Sequence, residues 1–83
     1  MAEYPEPSVV AIIQLHHIQA MLSLGAIANP ATGHPDPVNR QRAEFELSLL
    51  KVLQEKTEGN LSEEEDRILN GVIETIEGAL REV

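Results

Sequence analysis

Three histidines are the side chains in this chain best suited to holding a metal or titrating near neutrality: the adjacent His16 and His17, and His34. Two imidazoles on a helix converge on one ion when they stand three or four residues apart. Neighbouring helix residues instead point about 100° apart. No His, Asp, Glu or Cys stands three or four positions from either His16 or His17, so a ligand set would need His34 brought back onto them. The plain reading is two interfacial or partly buried rings with satisfied nitrogens. A metal or pH-responsive site at His16, His17 and His34 is the chemical alternative. Glu63, Glu64, Glu65 and Asp66 form a run of carboxylates. Consecutive carboxylates on one turn do not converge as an acid/base pair or a hard-cation cage would require, and capping of a helix start explains them. Arg40 and Arg42 could hold a carboxylate, though two arginines in the first turns of a helix are ordinarily solvated. No nucleophile–base arrangement, phosphate-binding glycine loop or zinc spacing is present. The expectation is a non-enzymatic protein without catalytic residues, cofactor or resident metal.

Composition narrows the partners. The 83 residues carry a formal net charge of −8, with only six Lys and Arg, all between Arg40 and Arg81. Phosphate backbones and anionic membrane surfaces call for clustered cations. One Phe, one Tyr and no Trp leave no stacking platform for bases. Nucleic acid is not expected as a partner. The absence of cysteine excludes disulfides and thiolate metal sites. Residues 1–7 carry Glu3 and Glu6 and no positive charge, the wrong flank for a secretory leader, and a cytoplasmic location is expected.

The elements that would position these residues are helices. The apolar residues are aliphatic and recur at helical spacing, and a chain this small is marginal without good helix packing or association. Residues 1–7, with Pro5 and Pro7, read as a flexible lead, and 8–83 as one three-helix domain. The first helix is expected over 8–27, with Ser8 as its N-cap. From Pro7 to Thr32 there is no Asp, Glu, Lys or Arg. One face of this helix holds Val9, Val10, Ile13, Ala20, Met21, Leu24 and Ile27. A second holds Ala11, Leu15, Ile18, Leu22 and Ala26, close to a heptad seam. In a plain three-helix monomer one face is left in water, and exposing Leu15, Ile18 and Leu22 would forgo roughly 5–9 kcal/mol. Ala11, Leu15, Ile18, Leu22 and Ala26 are therefore read as a homo-oligomer interface, most simply two-fold, with Gly25 allowing close approach. A monomer with the first helix at its centre is one alternative. A membrane span is another, disfavoured by five interrupting polar side chains and the lack of flanking Lys or Arg.

The stretch 28–37 holds three prolines and a glycine and reads as a loop. Asn29, Pro30, Thr32 and Gly33 are turn residues there, with Gly33 supplying a positive φ, and they form a candidate recognition loop. Asp36 is expected to cap a second helix over 37–57, with Pro37 at its first position. Its apolar stripe is Val38, Phe45, Leu49, Val52 and Leu53, widened by Leu50. Arg40, Arg42, Glu44, Glu46, Lys51 and Glu55 read as solvated flanks. Gly59 is the expected left-handed stop. Ser62 and Glu65 form a capping box for a third helix over 62–82, whose stripe is Ile68, Leu69, Val72, Ile73, Ile76, Ala79, Leu80 and Val83.

Two segments carry a resemblance. Leu24-Gly25-Ala26-Ile27-Ala28-Asn29-Pro30-Ala31-Thr32-Gly33 resembles a Leu-Gly-x-Ile-x-Asn-Pro-x-Thr-Gly signature. Glu55-Lys56-Thr57-Glu58-Gly59-Asn60-Leu61-Ser62-Glu63-Glu64-Glu65 resembles Glu-Lys-Thr-x-Gly-Asn-Leu-Thr/Ser-x-Glu-Glu. Both belong to a bacterial family catalogued as domain of unknown function 1844, and the likeness spans about 10–76. It implies a short all-helical cytoplasmic protein and brings no activity, cofactor or catalytic residue. The ending Glu74-Thr75-Ile76-Glu77-Gly78-Ala79-Leu80 departs from the more aromatic and basic ending the resemblance would lead one to look for. The reading is thus an all-α, three-helix antiparallel bundle that associates with itself through its first helix and serves as a structural or protein-interaction module. Its partners are a second copy and a further protein of unstated identity. A membrane-associated factor using the uncharged first helix is the alternative.

Overall fold

The computed structural model describes residues 7–83, which form three α-helices and no strand: α1 (Val9–Ser23), α2 (Arg40–Lys56) and α3 (Glu63–Arg81). Residues 1–6 of the expected lead lie outside the described residues. The three helices pack against one another in every pairing. Side-chain bonds fix their directions. His16 and Gln19 of α1 meet Glu46 and Arg42 of α2 in reverse order. Gln54 and Lys51 of α2 meet Asn70 and Glu77 of α3 likewise. Successive helices therefore run antiparallel.

The start of α1 is as the sequence implies: Ser8 Oγ accepts the Ala11 backbone N–H at 3.0 Å. Its end is not. The helix stops at Ser23 rather than at residue 27, because Gly25 takes a left-handed φ of 67°. The Gly25 N–H donates to the Leu22 carbonyl at 3.1 Å and the Ala26 N–H to that of Met21 at 2.9 Å, the paired bonds of a Schellman stop. Ala26 and Ile27 thus lie beyond the helix, and both are exposed. A Cβ on Gly25 would also sit 2.9 Å from the Asp36 carbonyl oxygen of the returning chain.

That return is organised by Asn29. Its N–H donates to the His34 carbonyl at 2.9 Å, and an isolated bridge joins Ala28 to Pro35. Its Oδ1 accepts the Ala31 N–H at 2.8 Å, and its Nδ2 donates to both carboxylate oxygens of Asp36 at 3.1 and 3.2 Å. Gly33 holds a φ of 76°, as the turn requires. Asp36, tied to Asn29, does not cap α2. The cap is Asn39, whose Oδ1 accepts the Arg42 N–H at 3.0 Å and whose own N–H donates to the Ser23 carbonyl at 2.6 Å. The helix accordingly begins three residues after Pro37, where the chain has come back to the end of α1.

The later signals hold. Gly59 is left-handed at φ 82°. Ser62 Oγ accepts the Glu65 N–H at 3.1 Å while Glu65 Oε1 accepts the Ser62 N–H at 2.8 Å. At the far end of α3, Arg40 Nη1 donates to the carbonyls of Leu80 (2.9 Å) and Val83 (3.2 Å), a cation on carbonyls that the helix leaves unpaired.

The core comprises Ile13, Ala20 and Leu24, Ala43 and Leu50 of α2, and Leu69, Val72, Ile73, Ile76 and Leu80 of α3. The α3 stripe is the expected one, except that Val83 is exposed. The α2 stripe is rotated from the expected one. Ala43, Glu46 and Leu50 face inward, Leu49 and Leu53 are half-buried, and Val38, Phe45 and Val52 are exposed. Gly25→Ala is expected to destabilise the fold by about 1–3 kcal/mol through the left-handed backbone and the Asp36 contact. Gly59 has open space around its missing Cβ, so Gly59→Ala should lose only the conformational term, about 1 kcal/mol. Thermal unfolding of the two variants should rank them in that order.

Candidate functional site

Two features stand out once the helices are placed: a buried polar cluster between α1 and α2, and an apolar face of α1 that no other helix covers. The cluster centres on Glu46, the one buried charged side chain among the described residues. Its Oε1 lies 2.6 Å from Nδ1 of His16, and its Oε2 accepts from Arg42 Nε at 3.0 Å. A carboxylate can only accept, so the hydrogen in the first contact sits on Nδ1. Arg42 Nη2 reaches on to Gln19 Oε1 at 3.4 Å. Each carboxylate oxygen therefore has a donor, which is the condition for carrying a charge inside a small core.

Glu46 was read from the sequence as a solvated flank, and its burial corrects that. The signal was present: Ala43, Glu46, Leu50 and Leu53 follow the 3-4-3 spacing of an inward stripe. Arg42, one turn earlier, stands where an i,i+4 partner belongs.

The three histidines are not brought together. His16 points its Nδ1 at Glu46, His17 is half-buried about 100° further round the helix, and His34 is exposed in the loop. Among the described residues no three of His, Asp and Glu come together as a ligand set. The loop residues Asn29, Thr32 and Gly33 spend their polar groups on the turn itself, and Pro30 is exposed beside them.

The second feature lies opposite the core. Ile13 and Ala20 point inward, while Ile12, Leu15 and Ile18 are 46%, 56% and 48% exposed. Ala11 and Leu22 flank them, half-buried. Four members of the expected seam, Ala11, Leu15, Ile18 and Leu22, therefore share the outer side of α1, and Ala11 and Leu15 with Val10 and Ile18 line a shallow apolar groove. Ala26, the fifth, is off the helix. The helix contributes no Asp, Glu, Lys or Arg to this face. It is also short. Fifteen residues at 1.5 Å each span about 22 Å, less than the ~30 Å hydrocarbon core of a bilayer, and no helix among the described residues is long and apolar enough to cross a membrane.

The family model described as a domain of unknown function (DUF1844) matches residues 6–82. The chain belongs to this family. No match was found among curated proteins or among solved structures. The DUF1844 match takes in both resembling segments, and each has a structural meaning here. The first holds the Gly25 stop and the Asn29 turn, and the second holds the Gly59 stop and the Ser62–Glu65 capping box.

The central role of Glu46 is testable against an exposed neighbour. Glu44 pairs with Arg40 at 3.5 Å with both side chains about half exposed, a pair worth at most about 0.5 kcal/mol. Glu46→Ala should destabilise by about 1–3 kcal/mol, since it leaves His16 without its acceptor and opens a gap beside Leu50. Glu44→Ala should be near neutral. Urea unfolding of both variants at one protein concentration gives the comparison.

Proposed function

We propose that this DUF1844 protein is a non-enzymatic interaction module of the cytoplasm that works as a homodimer, joined through the outer face of α1. The observation that carries this reading is the exposure of Ile12, Leu15 and Ile18 on one side of an uncharged helix. Single exposed apolar residues are ordinary. A row of three large ones with no charge among them is the mark of a surface meant to be covered.

A second copy is the occupant that asks least of the chain. Ala11, Leu15, Ile18 and Leu22 on this face follow a heptad-like spacing of four, three and four, so a two-fold axis across α1 sets the seam against itself. Two such faces can meet without bringing the acidic surfaces of the protomers into register. A molecule at −8 could not otherwise associate with itself without charge repulsion. Any further protein partner would then bind surfaces that the dimer creates. Catalysis finds no support in the arrangement of side chains, because the buried polar cluster uses its groups on one another.

Leu15 and Ile18 contribute little to the core of a single chain, so changing them tests association apart from folding. Light scattering on a sizing column should give a dimer mass for the wild type and a monomer mass for Leu15→Glu/Ile18→Glu. Both should show the same helix content by circular dichroism. A wild type that elutes and scatters as a monomer at all concentrations would refute the reading.

A further inference from the structure

We infer that the second copy docks across both α1 and α2, so that Phe45, Leu49 and Val52 of α2 belong to the same interface as the outer face of α1. This rests on the dimer reading above and names the rest of its surface. Phe45 is the only Phe in the chain, and it stands 57% exposed, with Val52 at 51% and Leu49 half-buried. At spacings of four and three these residues share one side of α2.

The contacts of α2 settle which side that is. Arg42 and Glu46 reach α1, whereas Lys51 and Gln54 reach α3. At 100° per residue, Leu49, Phe45 and then Val52 follow Arg42 round the helix, away from α3. On α1, Ile12 and Leu15 adjoin His16 and Gln19, the residues that reach α2. The antiparallel register brings Ile12 level with Leu50, one turn on from the His16–Glu46 contact. The two rows therefore meet on the same face of the α1–α2 pair, opposite α3, as one apolar surface.

Area and charge both assign this surface to a second copy. The exposed parts of Ile12, Leu15 and Ile18 come to roughly 300 Å², well short of the ~800 Å² per partner of a stable interface. Adding the α2 row brings the apolar area to about 500 Å², the apolar share such an interface carries within its polar rim. On this side α2 carries no carboxylate: Phe45, Ser48, Leu49 and Val52 are uncharged, Arg42 beside Leu49 spends its guanidinium on the buried Glu46, and Lys56 stands at the edge in the last turn. Against a chain of net charge −8, a face over two helices that carries no carboxylate suits its own copy, since docking there brings no two acidic groups together.

The chain contains no Trp, so Phe45→Trp places a sole indole in the 83-residue chain. Its emission should shift to the blue by several nanometres as concentration rises through the dimerisation midpoint, with sedimentation run in parallel. Acrylamide quenching should fall several-fold over the same range. Adding Leu15→Glu/Ile18→Glu should abolish both changes. As a second variant, Val52→Glu should weaken dimerisation at least tenfold while leaving helix content unchanged. A dimer whose indole stays solvent-exposed, or Val52→Glu dimerising as the wild type does, would overturn the inclusion of α2 and leave the α1 interface standing. A protein that sediments as a monomer throughout would overturn both.

Discussion

The packing of α1 is the constraint on which the rest depends. The helix is apolar around most of its circumference, and the described residues supply only two other helices with which to cover it. Ile13 and Ala20 are fully enclosed between α2 and α3, while Ile12, Leu15 and Ile18, one or two positions away in sequence, are half in water. In this arrangement α2 and α3 both pack on the side of Ile13 and Ala20, so Leu15 and Ile18 on the far side of the cylinder are left half in water. The inner side makes the fold, and the outer side stays exposed.

The His16–Glu46–Arg42 cluster bears on how this is held in place. A buried carboxylate tolerates little error in register, since a shift of either helix would strand its charge. Apolar packing alone would let two aliphatic helices slide past each other with modest loss. Glu46 pins α1 to α2, and in doing so fixes where Ile12 and Leu15 stand relative to Phe45 and Val52. The loop does the same at the other end, where Asn39 binds the last turn of α1 by its backbone and caps the first turn of α2 by its side chain.

Much of the fold was legible because its signals are local. The Ser62–Glu65 capping box, the Gly59 stop and the α3 stripe each depend on residues within a few positions of one another, and all stand where the sequence places them. The errors came where a distant residue decides. Asp36 and Asn39 are equally competent caps, and the choice fell to Asn39 because Asn29 had taken the Asp36 carboxylate. Glu46 looks like surface until His16, thirty residues earlier, supplies its partner. Hydrophobicity alone places Phe45 and Val52 in the α2 stripe, yet the inward side of α2 goes to Ala43, Glu46 and Leu50. Gly25 was read within a continuing helix because apolar residues persist past it to Ile27, and its role as a stop emerges only with the returning chain at Asp36. The outer face of α1 was legible for a different reason: an uncharged stretch in a chain rich in charge is visible without knowing what packs where.

The most direct test of the proposed dimer is an isotope-filtered NOE experiment on protein mixed from labelled and unlabelled chains. Only contacts between protomers survive the filter. The dimer predicts cross-peaks from the methyl groups of Leu15 and Ile18 to a partner chain. Their absence in a sample of dimer mass, or inter-chain cross-peaks confined to α3, would contradict it.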